Sequence, residues 1–238
     1  LAARLNKEKD EVILSKVLKQ VKDEKKLVWI AKALILRGHR YANIIINKVL
    51  KDVKEEVKNQ RVQILAENPP FAMTRASGAR VKVTWRQRLF CTLWNERLCE
   101  DESLVILARW TPISVLRENQ RDMDILTRVL VVLEKLQHSV DAARVMMKLL
   151  EGGTDTLVRV HTSKIIHVLV KCARTGRKEE QREIAIRCLE IMSELVPYHV
   201  LHPHKTEVLR GLKIVLDDRK RSVRRRAVRC VNRWEVLK

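Results

Sequence analysis

A self-similarity with a period of 42 residues is the feature that most restricts how this chain can fold. Shifting residues 182–195 by that period places them on residues 224–237 and matches seven positions in kind. The matched pairs are Arg182 with Arg224, Ala185 with Ala227, Ile186 with Val228, Arg187 with Arg229, Cys188 with Cys230, Leu189 with Val231, and Leu195 with Leu237. One period earlier, the alanine, cysteine and leucine positions are occupied by Ala143, Met146 and Met147. A period of about forty residues is typical of stacked helix pairs, because one pair cannot bury its apolar face alone.

Apolar residues also recur at helical spacing elsewhere in the chain. Ile13, Val17 and Val21 form one such stripe, and no alternating strand pattern competes with the helical one. The 238 residues include only six glycines and five prolines, too few for a turn-rich β fold. We therefore predict an all-α fold, a HEAT-repeat α-solenoid of about five helix pairs.

Turn residues divide the predicted array. The least regular stretch runs from Asn68 to Val83 and contains the Pro69–Pro70 pair. We predict N-terminal HEAT helices over residues 1–67 and an irregular loop over residues 68–83. Residues 84–238 are predicted to form C-terminal HEAT repeats that end in a basic terminal helix.

Charge and cysteine usage restrict the partner and the compartment. The formal net charge of +20 predicts an acidic partner, which could be a protein surface, nucleic acid or anionic lipid. No apolar run is long enough to cross a bilayer, and we predict no membrane partner. The five cysteines are odd in number and form no Cys-x-x-Cys pair, which favours a reducing compartment over a disulfide framework.

The positive charge is most concentrated near the end of the sequence, where eight lysines and arginines and no acid lie between Asp218 and Glu235. A helical wheel gathers an apolar face, formed by Val223, Ala227, Cys230, Val231 and Trp234. Arginines occupy the opposite face. We predict that a partner binds through Arg187, Arg221, Arg225, Arg226, Arg229, Arg233 and Trp234. The alternative for the arginines is an ordinary solvated face, and the alternative for Trp234 is a role in capping the core.

No catalytic or ligand-binding constellation accompanies the basic run. The sequence contains no nucleophile elbow, phosphate-binding glycine loop or His-Glu-x-x-His pair, so we predict no enzymatic activity. His199, His202 and His204 form a short cluster, but their spacing supplies no fourth ligand for a tetrahedral site. We therefore predict no bound metal and no cofactor.

The final forty residues resemble a known family. Residues 197–234 (PYHVLHPHKTEVLRGLKIVLDDRKRSVRRRAVRCVNRW) are similar to the carboxyl terminus of the methyl-methanesulfonate-sensitivity scaffold family of cytosolic iron–sulfur protein assembly. The matching positions are Val200, Leu201, Pro203, Lys205, Leu216, Asp217, Asp218, Lys220, Arg221, Val223, Arg224, Ala227, Val228 and Trp234. KALILRGH (Lys32 to His39) and WRQRLF (Trp85 to Phe90) agree further upstream, while Cys91 to Lys178 is only loosely similar. His202 and His204 depart from the family, in which Leu and Tyr are more frequent.

The resemblance implies a scaffold rather than an enzyme. In that family the C-terminal region docks the small cluster-transfer subunit of the targeting complex, and a β-propeller subunit joins through it. Together they present apo iron–sulfur client proteins, including DNA helicases and polymerases, for cluster insertion. The resemblance thus implies a link to DNA repair and a cytoplasmic and nuclear location. HEAT repeats also pair an Asp with a Val-Arg arginine between neighbouring repeats, so we expect structural roles for Asp218 and Arg224.

Two other functions are compatible with the composition. The first is a nucleic-acid-binding solenoid that uses the arginine-rich face, and the second is a transport-receptor-like solenoid that carries acidic cargo. The transport receptor lacks the terminal resemblance. Nucleic-acid binding would weaken steeply with salt because each neutralised phosphate releases a counterion. A scaffold contact would keep a hydrophobic centre and persist at moderate salt.

Overall fold

The computed structural model describes residues 101–117, 121–135, 139–152 and 155–237 of the chain. It also describes ten isolated helical positions nearer the N-terminus: Leu27, Ile30, Ala31, Leu34, Ile46, Val49, Leu50, Leu89, Phe90 and Trp94. Apart from those isolated positions, the helices predicted over residues 1–67 lie outside the described residues. The loop predicted over residues 68–83 lies outside them entirely.

The chain divides into two compact units, Leu1–Pro112 and Ile113–Lys238. The described part of the first unit includes the helix α1 (Asp101–Trp110). Its Leu104, Val105, Leu107 and Ala108 side chains are buried. α1 is followed by Thr111, whose hydroxyl donates a hydrogen bond to the main-chain oxygen of Leu107 at 3.0 Å.

The second unit consists of consecutive helices. They are α2 (Ile113–Arg117), α3 (Arg121–Lys135), α4 (Val140–Glu151), α5 (Asp155–Thr175), α6 (Glu179–Leu195), α7 (Tyr198–Leu201), a 3-10 turn (His202–His204), α8 (Lys205–Val215) and α9 (Arg221–Glu235). No strand occurs among the residues that the structure describes. The predicted all-α fold is confirmed.

The helices of the second unit stack as pairs in two layers. α3 packs on α4, α5 on α6, and α8 on α9. The first helices of successive pairs, α3, α5 and α8, lie side by side, and so do the second helices, α4, α6 and α9. This is the packing of an α-solenoid, as the repeat predicted. The predicted number of about five pairs in the whole chain stays a prediction.

Small residues at repeating positions allow the layers to approach closely. Ala185 of α6 and Ala227 of α9, which are one period apart, are both fully buried. In the other layer, a Cβ atom built on Gly211 of α8 would lie 2.3 Å from Cγ1 of Val170 in α5. Only a residue without a side chain permits this distance between α5 and α8.

The first residue of α8 fixes the end of α9. Lys205, the first residue of α8, donates from Nζ to the main-chain oxygens of Glu235 at 2.9 Å and Leu237 at 3.1 Å. These carbonyls lie at a helix C-terminus, where main-chain acceptors lack partners within the helix and a positive charge is favourable. The lysine of the terminal motif therefore ties together the two ends of the last helix pair.

Candidate partner-binding surface

α9 turns its predicted apolar face into the core. The buried side chains of this helix are Val223, Ala227, Cys230, Val231 and Trp234. The arginines therefore lie on the remaining faces of the helix, which point either towards α6 or into solvent. The neighbours of each arginine decide which of them are available to a partner.

Trp234 is part of the core. Its relative exposure is 0 %, and its Nε1 donates a hydrogen bond to the main-chain oxygen of Leu189 at 3.0 Å. This bond satisfies the single polar group of the indole, so the ring is buried without an unpaired donor. Trp234 thus caps the junction between α6 and α9. The interpretation of Trp234 as an exposed anchor is wrong, because no part of its side chain reaches solvent.

Three of the predicted binding arginines meet acids of α6. Glu190 has only 5 % of its side chain exposed and lies 3.0 Å from Nη1 of Arg187 and 3.8 Å from Nη1 of Arg226. Arg233 forms an ion pair with Glu194. Arg226 and Arg233 neutralise acids of the preceding repeat, whereas Arg187 pairs within α6, and this pairing reduces the charge that the three arginines offer to a partner.

The other three arginines face solvent. Arg221, Arg225 and Arg229 are exposed and have no acidic partner within the described part of the chain. They lie at positions i, i+4 and i+8 of α9, on one side of the helix. Val228 lies among them with 48 % of its surface exposed. We call Arg221, Arg225, Val228 and Arg229 the basic ridge.

The equivalent residues of the preceding repeat show that this exposure is unusual. Ile186, one period before Val228, is fully buried. Cys172 is 1 % exposed, whereas Ile214, one period later, is 53 % exposed. Positions that are covered by a neighbouring helix pair in one repeat are therefore open in the next. Through Val228, the basic ridge offers apolar contact area as well as charge.

Asp218 and Arg224 hold the turn between α8 and α9. The carboxylate of Asp218 accepts hydrogen bonds from Nε and Nη2 of Arg182 in the preceding repeat, at 2.7 and 3.0 Å. Arg224 donates from Nη1 to the main-chain oxygen of Asp218 at 2.6 Å. The carboxylate between the repeats thus pairs with Arg182, while Arg224 binds the turn itself.

Arg182 and the acids of α6 were not among the predicted site residues. The signal for Arg182 was present, because the 42-residue shift aligns it with Arg224. Glu190 and Glu194 had no comparable signal. Their positions relative to Arg226 and Arg233 depend on how α6 packs against α9.

The three described cysteines of the second unit are buried thiols. Burial raises the pKa of Cys172 to about 11 and also raises the pKa values of Cys188 and Cys230. A raised pKa keeps sulfur protonated, whereas metal ligation needs the thiolate. Among the described residues, no group of three or more His, Cys, Asp or Glu side chains could hold a metal ion. None of the described helices is both long enough and apolar enough to span a bilayer.

Known proteins from several organisms are similar to this chain. The MMS19 nucleotide excision repair protein homolog of Xenopus tropicalis is 27 % identical over 228 residues, covering 89 % of this chain and 22 % of the relative. The homologs from Dictyostelium discoideum and Arabidopsis thaliana are each 24 % identical, covering 88 % and 89 % of this chain and 21 % of each relative. No protein-family profile matches the chain.

The chain spans about a fifth of the length of these curated relatives. The similarity extends over nearly the whole chain and well beyond the terminal motif. The resemblance to the MMS19 family predicted from the sequence is therefore confirmed.

Proposed function

We propose that this chain is a non-enzymatic docking scaffold with a role linked to DNA repair. The repair link comes from the names of its relatives, which are nucleotide excision repair proteins. The more specific role comes from the family resemblance. In this role the chain belongs to cytosolic iron–sulfur protein assembly and acts in the cytoplasm and nucleus.

The basic ridge is the observation that carries the proposal. Arg221, Arg225 and Arg229 project from a helix whose orientation is fixed by buried Trp234, so binding does not have to order the backbone beneath them. Val228 supplies an apolar centre among the charges. Protein interfaces combine such a centre with a polar rim, and charge complementarity selects the partner. A protein surface with several acids around an apolar contact fits this arrangement.

The proposed partner is the small cluster-transfer subunit of the targeting complex. The β-propeller subunit joins through that subunit, and apo iron–sulfur clients bind the resulting assembly. The cluster is cargo in this scheme. The buried and protonated cysteines of α5, α6 and α9 are consistent with a scaffold that brings proteins together without holding the cluster itself.

Size-exclusion co-elution with the small cluster-transfer subunit, at an ionic strength of about 0.15 M, tests the proposal. We expect a joint peak for the parent chain. Reversing the ridge charges with Arg221→Glu, Arg225→Glu and Arg229→Glu should weaken binding by about 100-fold or more, because like charges then face each other. Separate peaks for the parent chain and the subunit would contradict the proposal.

A second triple variant controls for net charge. Arg174→Glu, Arg210→Glu and Lys213→Glu change the charge by the same amount at exposed positions of α5 and α8, away from the ridge. This control should retain the joint peak. Equal losses in both triple variants would mean that net charge, and not the ridge, governs binding.

Nucleic-acid binding is the second candidate, favoured by the net charge of +20 and by the same three arginines, which have no acidic partner among the described residues. It predicts that the logarithm of the binding constant falls linearly with the logarithm of salt concentration, by about 0.7 to 0.9 per phosphate contacted. The scaffold function predicts a joint peak that survives moderate salt. Titration with a short duplex and a single-stranded oligonucleotide at several salt concentrations distinguishes the two functions.

A further inference from the structure

Ser222, the second residue of α9, directly follows a run of three basic residues. Arg219, Lys220 and Arg221 precede it directly, and Val223 follows. No other serine or threonine in the sequence follows three consecutive basic residues. Ser222 and its three basic neighbours are all exposed. Protein kinases use charge patterns of this kind to choose their substrates, since basic residues before the hydroxyl match an acidic substrate groove.

The Ser222 hydroxyl takes part in a contact between the last two repeats. Its Oγ donates a hydrogen bond to Oε1 of Glu179, the first residue of α6, at 2.5 Å. Nζ of Lys220 lies 3.4 Å from Oε2 of the same carboxylate. Arg225, three residues further along α9, is exposed and has no acidic partner among the described residues. A group attached to Ser222 would therefore meet both Glu179 and the basic ridge.

We infer that Ser222 is a phosphorylation site for a protein kinase directed by basic residues, and that its phosphorylation neutralises the basic ridge. In the reaction, Oγ of Ser222 forms a bond to the γ-phosphorus of ATP. The bond from that phosphorus to the bridging oxygen breaks and releases ADP, and the hydroxyl proton passes to a base of the kinase. The product carries a charge of about −1.5 to −2 at neutral pH.

The phosphate exchanges one set of contacts for another. Phosphorylated Ser222 has lost the proton that it donates to Glu179, and two anions at hydrogen-bonding distance repel each other. Residues three apart on a helix are neighbours, so Arg225 is placed to form a charge-assisted bond with the phosphate. The phosphate also lies in the first turn of α9, where the helix dipole favours negative charge. These contacts direct the phosphate from Glu179 towards the ridge.

Neutralisation of the ridge weakens docking of an acidic partner, and this consequence rests on the proposed function. The modification itself does not rest on it. The phosphate removes most of the charge that Arg221, Arg225 and Arg229 present together. The basic ridge would then be active only in the unmodified chain.

The first test is phosphorylation of the folded chain by the catalytic subunit of cyclic-AMP-dependent protein kinase, with magnesium and ATP, followed by mass-spectrometric mapping. We expect one phosphate on Ser222, and a Ser222→Ala variant should lose that product. A synthetic peptide of residues 216–226 controls for recognition of the local sequence. The inference is overturned if the folded chain acquires no phosphate at Ser222, whether or not the peptide is phosphorylated.

A second measurement tests the contact with the ridge. The second ionisation of phosphoserine has an ordinary pKa of about 6, and pairing with an arginine lowers it. Phosphorus NMR of the modified chain should give a pKa for this phosphate about 0.5 unit lower than in an Arg225→Gln variant, because a nearby positive charge favours the doubly ionised form. Equal values in the two proteins would exclude the predicted pairing.

Co-elution separates this inference from the proposed function. The phosphorylated chain should lose the joint peak with the small cluster-transfer subunit that the unmodified chain forms. A phosphorylated chain that still co-elutes would contradict the switch and leave the scaffold function in place. If the unmodified chain itself shows no joint peak, the scaffold function and its switch fail together, while modification of Ser222 is decided by the mass spectra alone.

Discussion

Arg182 and Asp218 join the last two helix pairs through a two-bond ion pair. Nε and Nη2 of Arg182 bind the two carboxylate oxygens at 2.7 and 3.0 Å, and the two side chains are only 5 % and 11 % exposed. Nη1 of Arg182 donates to the main-chain oxygen of Gly176 at 2.8 Å. One period later, Arg224 makes the equivalent bond to the main-chain oxygen of Asp218. The bond from arginine to the turn thus repeats along the array.

Removal of the Asp218 carboxylate should destabilise the second unit. Asp218→Ala leaves the buried Arg182 guanidinium without its counter-ion, and breaking a buried pair in this way costs about 3 kcal/mol. The free energy of unfolding, measured by urea titration with circular dichroism, checks this value. Asp217→Ala is the matched control, because Asp217 is exposed and adjacent. Equal effects of the two substitutions would contradict a structural role for the pair.

The same pair predicts a dependence of stability on pH. Desolvation acts to raise the pKa of Asp218, but hydrogen bonds from Arg182 and the main-chain nitrogen of Lys220, with the charge of Arg182, outweigh it and hold the pKa below the usual range. A carboxyl whose pKa is lower in the folded state contributes its stability above the unfolded pKa of about 3.9. That contribution is lost as pH falls below this value towards the folded pKa.

Asp218→Asn isolates this contribution. The stability of the parent chain should exceed that of the variant by a constant amount at neutral pH, and the difference should shrink as the pH falls below about 4. Urea unfolding at a series of pH values measures the difference directly. A difference that stays constant down to pH 2.5 would show that the folded pKa of Asp218 is not lowered.

Trp234 should be one of the most costly residues to truncate. Trp234→Ala removes a fully buried indole and should cost about 3 to 5 kcal/mol, because the neighbouring side chains cannot fill the cavity. Trp234→Phe retains most of the volume but leaves the oxygen of Leu189 without its donor, at a cost of about 1 to 3 kcal/mol. Thermal unfolding followed by circular dichroism ranks the stabilities of the parent chain, Trp234→Phe and Trp234→Ala.

A nearby apolar residue provides the control for the tryptophan variants. Val236→Ala alters a side chain that is 71 % exposed and should change stability by less than about 0.5 kcal/mol. A Trp234→Ala variant as stable as Val236→Ala would show that the indole is not part of the core.

Even the addition of one methyl group at Gly211 should destabilise the chain. Alanine is favoured over glycine inside a helix by about 1 kcal/mol, but a Cβ at this position would lie 2.3 Å from Cγ1 of Val170. Overpacking of this kind costs about 1 to 3 kcal/mol, so Gly211→Ala should destabilise the chain overall. The double variant Val170→Ala, Gly211→Ala should be more stable than the sum of the two single changes predicts. Strict additivity in urea unfolding would contradict the steric explanation.

The repeat and the apolar periodicity were sufficient to predict helix pairs in stacked layers. They also placed Val223, Ala227, Cys230, Val231 and Trp234 on the buried face of the last helix. This prediction succeeds because the helical period is a local property: once the backbone is helical, the angular position of each side chain is fixed. The alignment of Arg182 with Arg224 is likewise readable without coordinates.

The sequence alone did not show which arginines pair with acids and which remain exposed to solvent. Arg226, Arg229 and Arg233 lie on one helix with similar neighbours in sequence, yet Arg226 lies near Glu190 and Arg233 binds Glu194, while Arg229 has no acidic partner in the described part of the chain. Those acids come from α6, about forty residues earlier. A helical wheel represents one helix and contains no information about what its neighbour presents.

By itself, the sequence determined that this protein is built from repeated helix pairs, that its last helix is strongly basic, and which family it resembles. The tertiary structure decided that Trp234 belongs to the core, that Arg182 forms an ion pair with the carboxylate of Asp218, and that Arg221, Arg225 and Arg229 face solvent. The spacing of apolar residues along the sequence follows the helical backbone, so it can be recognised from nearby residues alone. Ion pairing and burial depend on the packing of α6 against α9, which brings together residues that are far apart in the sequence.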